Sequence, residues 1–134
     1  MDVLANFEVL FKARGLSAVH GRVFGSLLLS EEEMTQKQIA KAAGYSVPAV
    51  SIALDELEKI RLVKKKKLQR TFFYYTDADL PKIMKNFLQA IKKDYVEPFL
   101  REMKDYQKTS TLKKFEKNMK KLDVYLSKLL EVQV

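Results

Sequence analysis

TQKQIAKAAGYSVPAVSIALDELEKI, residues 35–60, reads as a short helix, a glycine turn and a longer helix. Thr35 and Gln38 make a T-x-x-Q capping box, with Met34 and Ile39 spaced as a hydrophobic staple, so a helix starts at residue 36. Gly44 closes it, because glycine adopts the left-handed conformation that ends a helix without a Cβ penalty. Ser46 is a second N-cap, and Pro48 is tolerated in the first turn, where a backbone N–H has no intrahelical partner to lose. Val50, Ala53, Leu54, Leu57 and Ile60 then give the longer helix an apolar face. This is the helix-turn-helix order.

Working outward, Val3, Leu4, Phe7, Leu10 and Phe11 predict an amphipathic helix over residues 2–13, ended by Gly15. Ser17 caps a second helix from Ala18 to Leu29, in which Gly21 and Gly25 allow a neighbouring helix to approach closely. No apolar 20-mer surrounds that G-x-x-x-G spacing, so it reads as helix packing in water. On the other side, residues 62–67 and 71–76 have strand length, and the second segment, with Phe72, Phe73, Tyr74 and Tyr75, is aromatic and β-branched. Joined by a tip at Leu68-Gln69-Arg70, they predict a hairpin, a wing that must pack on the helices before it. One of its aromatic pairs is expected to seat it.

A long helix follows from Asp79. Its apolar stripe keeps phase across Pro98, which favours a kink over a break. A last helix starts near Thr109 to Thr111, where Leu112, Phe115, Met119, Leu122, Leu126 and Leu129 recur at the spacing of a coiled-coil seam and lysines fill the rest of the circumference. The fold class is therefore mainly α with a small β-hairpin wing.

The chain has 134 residues, no cysteine, one histidine and a net charge of +8. Disulfides and thiolate metal sites are excluded, and His20 alone cannot build a metal cluster; it is read as a structural or surface residue. No segment is apolar enough to cross a bilayer and the first residues do not open a signal peptide, so a cytoplasmic location is expected. The carboxylates have no accompanying nucleophile, phosphate loop or metal motif, so neither catalysis nor a cofactor is expected. Residues 1–61 hold 7 basic and 8 acidic side chains, whereas residues 62–76 hold 5 basic and none acidic. A cationic hairpin directly after a helix-turn-helix points to double-stranded DNA.

From Gly21 to Asp77 the chain resembles the winged helix-turn-helix of the MarR superfamily, and most of all its GbsR-type branch, which includes archaeal members. The resemblance is carried by Met34 to Ala40, Gly44-Tyr45-Ser46, Val50-Ser51, Ala53-Leu54, Leu57-Glu58 and Leu62-Val63. It implies a transcriptional regulator that is a homodimer, with residues 1–16 and 78–134 as dimerisation helices and residues 17–77 as the DNA-binding domain. Phe7, Phe11, Leu112, Phe115, Met119, Leu122, Leu126 and Leu129 would then make the dimer contact. The recognition helix, residues 46–60, would present Ser46, Val47, Pro48, Ala49, Ser51 and Ile52 to the major groove. Gln36 and Lys37 would flank it, and Lys64, Lys65, Lys66, Lys67 and Arg70 of the wing would contact phosphates. The resemblance also allows a small-molecule effector between wing domain and dimerisation helices, although no convergent polar cluster in the sequence marks such a site.

Two features of the sequence restrict this reading. The base-facing positions include no Arg, Lys, Asn or Gln, so bidentate base readout from the recognition helix is absent; thymine methyl contacts and DNA shape remain. Arg61 stands where a helix-ending glycine is common, and a left-handed conformation there costs about 1 kcal/mol. A winged-helix protein-interaction or assembly module without specific DNA binding therefore stays open as the alternative.

Overall fold

Side-chain caps and left-handed turns cut the first part of the chain into four helices. In a computed structural model describing residues 1–134, these are α1 (Val3–Ala13), α2 (Ala18–Leu29), α3 (Gln36–Ala43) and α4 (Val47–Lys59). Asp2 Oδ1 accepts from the Leu4 and Ala5 amides at 3.0 and 3.3 Å, satisfying N–H groups that have no partner within the helix. The capping box of α3 closes in both directions: Gln38 N lies 3.3 Å from Thr35 Oγ1, and Thr35 N lies 2.9 Å from Gln38 Oε1. Gly44, at φ 79, ends that helix. Arg61 does the same for α4 at φ 65, with Leu62 N bonded to Leu57 O and Arg61 N to Glu58 O, each at 2.9 Å. This is a Schellman cap made without glycine.

The G-x-x-x-G spacing has a measurable purpose. A Cβ on Gly21 would sit 2.4 Å from Phe7 O and 2.8 Å from Glu8 Cα, so the backbone of α1 lies directly on α2. Phe7 and Phe11 stack on Phe24 with ring centroids 6.2 and 5.3 Å away, and both are buried. Phe7 and Phe11, expected at a dimer contact, thus lie in the chain's own core. Arg22 fastens the arrangement, donating to Ala43 O at 2.9 Å and to Asp2 Oδ2 at 3.0 Å. That hydrogen bond lowers the pKa of the Asp2 carboxyl.

After α4 come β1 (Lys64–Leu68) and β2 (Thr71–Tyr75), an antiparallel pair in which Lys65 faces Tyr74, Lys67 faces Phe72 and Leu68 faces Thr71. The tip is therefore two residues, Gln69 and Arg70, with Gln69 at φ 59, and not the three expected. Leu62 and Val63, expected in the strand, are instead turned by the Arg61 cap into the core, where they are 3 % and 2 % exposed.

Two compact units result, Met1–Asp79 and Leu80–Val134. In the second, α5 (Leu80–Ile91) runs through a π-helical turn (Lys92–Val96) into α6 (Glu97–Met103), so the chain stays helical across Pro98. The wider turn, closed by Glu97 N–H on Lys92 O, accommodates a proline ring that would clash with the carbonyl four residues back in a regular α-helix. Helix α7 (Ser110–Leu130) packs back on α5 and α6. Met119 and Leu126 of its heptad seam are buried with Val96, and Leu122 packs against them. Phe115 meets Phe99 edge-on at 5.0 Å. Part of the seam found in the sequence thus packs within the subunit, while Phe115 stays 44 % exposed. Lys92 bridges Glu97 and Asp123 at 2.8 and 3.1 Å, and Lys108 holds Glu116 at 2.7 Å. No helix is long and apolar enough to cross a membrane.

Two outcomes follow. Gly21→Ala should lower the unfolding free energy by about 2 kcal/mol or more, because backbone has to move to admit one methyl; an unchanged urea midpoint would contradict the close α1–α2 contact. Glu116 is held below its ordinary pKa, chiefly by the hydrogen bond from Lys108. A depressed folded value means that the clasp stabilises above the unfolded pKa and is lost as pH falls through the folded one. Glu116→Gln should therefore flatten the acid limb of a helicity-against-pH curve below about pH 4.3, and superimposable limbs would contradict the clasp.

Candidate nucleic-acid interface

The exposed part of α4 is its beginning. Ser46 Oγ accepts from Ala49 N at 3.3 Å, fixing the first turn, while Val50, Ala53, Leu54 and Leu57 point inward. Val47, Pro48 and Ile52 face outward, with Ile52 62 % exposed. The outward surface of the first two turns is thus apolar, and of its backbone donors the Ala49 N–H is taken by Ser46 while Pro48 has none.

Tyr74 positions the wing against this surface. Its ring is buried, its backbone pairs with Met34 in both directions at 2.8 and 3.0 Å, and its hydroxyl accepts from Gln36 Nε2 at 3.1 Å. Gln36 also reaches Ser51 Oγ at 3.5 Å. Gln36 and Ser51, expected to touch DNA, are thus engaged in holding α3, α4 and β2 together. One cleft gathers Thr35, Gln36 and Lys37 from the start of α3, Val47 from α4, and Arg70, Thr71 and Phe72 from the wing.

Thr35, Thr71 and Phe72 were not among the expected site residues. The signal for Phe72 lay in strand register: it stands opposite Lys67 and two residues from Tyr74, so it shares the face that Tyr74 turns toward the helices. Lys65 and Lys67 Nζ lie 4.7 and 5.5 Å from its ring centroid, within cation–π reach.

The charge of the wing is smaller than its sequence suggests. The lysine run has no acidic neighbour along the chain, but folding supplies three: Lys64 meets Asp77 at 2.7 Å, Lys65 meets Glu58 at 3.4 Å and Lys66 meets Glu33 at 2.7 Å. The bond to Asp77 raises the pKa of Lys64. Lys67, near the end of β1, and Arg70, at the tip, have no carboxylate within ion-pair distance, and Lys37 on α3 is likewise unpaired and exposed. Lys37 and Arg70 therefore border the cleft.

His20, given no role from sequence, is a buried strut. Ser17 N–H donates to its Nδ1 at 3.1 Å, which leaves the proton on Nε2, 2.5 Å from Glu56 Oε2, so the ring joins the cap of α2 to α4.

With a helix-turn-helix, a seated two-stranded wing and a cationic cleft between them, the fold of the first unit is a winged helix. Residues 14–70 match the MarR family. The MarR match runs from the end of α1 to the tip of the wing, and it is to the family as a whole, with no branch singled out. No curated protein matches the sequence. Among solved structures, one described as a transcriptional regulator has a TM-score of 0.70 at 16 % identity, covering 95 % of this chain and 87 % of that one. A MarR family transcription regulator is also 16 % identical, with a TM-score of 0.48, covering 98 % of this chain and 85 % of that one. At 16 % identity the first likeness speaks to fold, and it extends the shared architecture beyond residues 14–70.

Proposed function

We propose that this protein is a DNA-binding transcriptional regulator of the MarR type, acting in the cytoplasm as a homodimer. The observation that carries the reading is the cleft in which the start of α4 and the tip of the wing lie side by side, with Lys37 and Arg70 on its border. A recognition helix enters the major groove by its N-terminal end. Val47, Pro48 and Ile52 would lie on thymine methyls, and Lys67 and Arg70 would hold the adjoining backbone. Affinity then comes mainly from phosphates, and selectivity from methyl contacts and DNA shape.

A dimer would address two half-sites about 34 Å apart. Because Phe7 and Phe11 of α1 and Met119 and Leu126 of the α7 seam are buried within the chain, the dimer contact would draw on other apolar groups as well. Leu80, Met84, Ile91 and Tyr95 form an exposed stripe at helical spacing along α5 and the π turn, and a second subunit would cover them. The exposed apolar start of α4 also suits a protein partner, which keeps an interaction module as the second reading.

In an anisotropy titration of a duplex against salt, Lys67→Gln and Arg70→Gln should each weaken binding and reduce the slope of log K against log salt by about 0.9, whereas Lys64→Gln, which removes a cation already paired, should change it little. A wild-type protein that retains no duplex in dilute salt would overturn the reading in favour of the interaction module.

A further inference from the structure

The chain carries more unpaired cationic charge on α7 than on its wing. At 100° per residue, Lys113, Lys114, Lys117, Lys121 and Lys128 fall within one arc opposite Met119 and Leu126. All five are exposed, and none has a carboxylate within ion-pair distance. The two acidic residues within the helix lie on its inner flank and are already engaged, Glu116 with Lys108 at 2.7 Å and Asp123 with Lys92 at 3.1 Å. Folding thus pairs three of the wing's five cations and leaves the outer face of α7 cationic. Lys113 to Lys128 spans about 22 Å of helix, along which only Val124 interrupts the basic surface.

The nature of the partner follows from what the helix has left to offer. A basic amphipathic helix that binds a bilayer inserts its apolar face, but here that face is packed on Val96, Leu88 and Leu100. Entry into lipid would dismantle the core of the second unit. What remains is a rigid row of ammonium groups suited to a partner recognised by charge alone, with a dense and regular set of anions. Duplex DNA, with one phosphate charge per about 1.7 Å of axis, meets that description.

We propose that the outward lysine face of α7 is a second, sequence-independent contact for the phosphates of duplex DNA. The proposal rests on the reading of the protein as a duplex-binding regulator. The lysine face would supply general affinity, leaving the winged unit to discriminate among sites.

The test uses the full-length protein and a 40-base-pair duplex, titrated across salt for the wild type, for a variant with Lys113, Lys114, Lys117, Lys121 and Lys128 all changed to Gln, and for Lys67→Gln/Arg70→Gln. The α7 variant should lose at least about tenfold in affinity in dilute salt, and its salt slope should fall by about 3 or more. Glutamine keeps helix propensity; if circular dichroism nonetheless shows lost helix, Lys113→Gln/Lys121→Gln replaces it, with an expected slope change of about 2. Wild-type behaviour of the α7 variant beside a defective wing variant would overturn the proposal and leave the proposed function standing. Absence of duplex binding by the wild type would overturn both. Loss of binding to phosphatidylserine-containing vesicles with duplex binding intact would assign the face to a membrane and overturn the proposal as well.

Discussion

The seat of Tyr74 is the contact on which the candidate interface depends. A two-stranded hairpin is marginal in water, so its position must come from what it packs against. Burying a tyrosine ring removes on the order of 200 Å² from water, up to about 5 kcal/mol by area, whereas its hydrogen bond to Gln36 contributes about 1 kcal/mol net. Burial therefore holds the wing in place, and the hydroxyl bond with the Met34 pairing fixes its register. Without that register Arg70 would not border the same cleft as Val47.

Charge is distributed by the same folding. Exposed ion pairs contribute about 0 to 1 kcal/mol each, so those of Lys64, Lys65 and Lys66 do little for stability. Their larger consequence is for the field outside the protein. Three carboxylates remote in sequence quieten the body of the wing and leave its tip cationic, while α7 turns its own acids inward. A positive net charge is thereby concentrated at two places, each backed by a packed core.

The helix-turn-helix was legible because its signals are local: capping side chains at Thr35 and Ser46, a glycine at 44 and an apolar face of period 3.6. The rest depended on contacts that sequence distance hides. Arg61 was recognised as a poor glycine substitute, yet its left-handed turn also redirects Leu62 and Val63 from strand to core, and the hairpin tip is a residue shorter because Leu68 pairs with Thr71. Glu33, Glu58 and Asp77 come to the lysine run only through the fold. The heptad of α7 has the same spacing whether its partner helix belongs to the same chain or to another copy, and here α5 and α6 take that place. Phe7 and Phe11 show the same ambiguity, since an amphipathic helix does not reveal whose core it completes. The π turn before Pro98 left no mark beyond the uninterrupted phase of the stripe.

The most direct measurement is amide chemical-shift perturbation in the full-length protein on titration with duplex DNA at moderate salt. If the wing and the recognition helix form one DNA-facing surface, Val47 to Ile52 and Lys67 to Thr71 shift together, saturate at the same concentration and leave α1 undisturbed. Duplex binding that leaves both of those segments unmoved would contradict it.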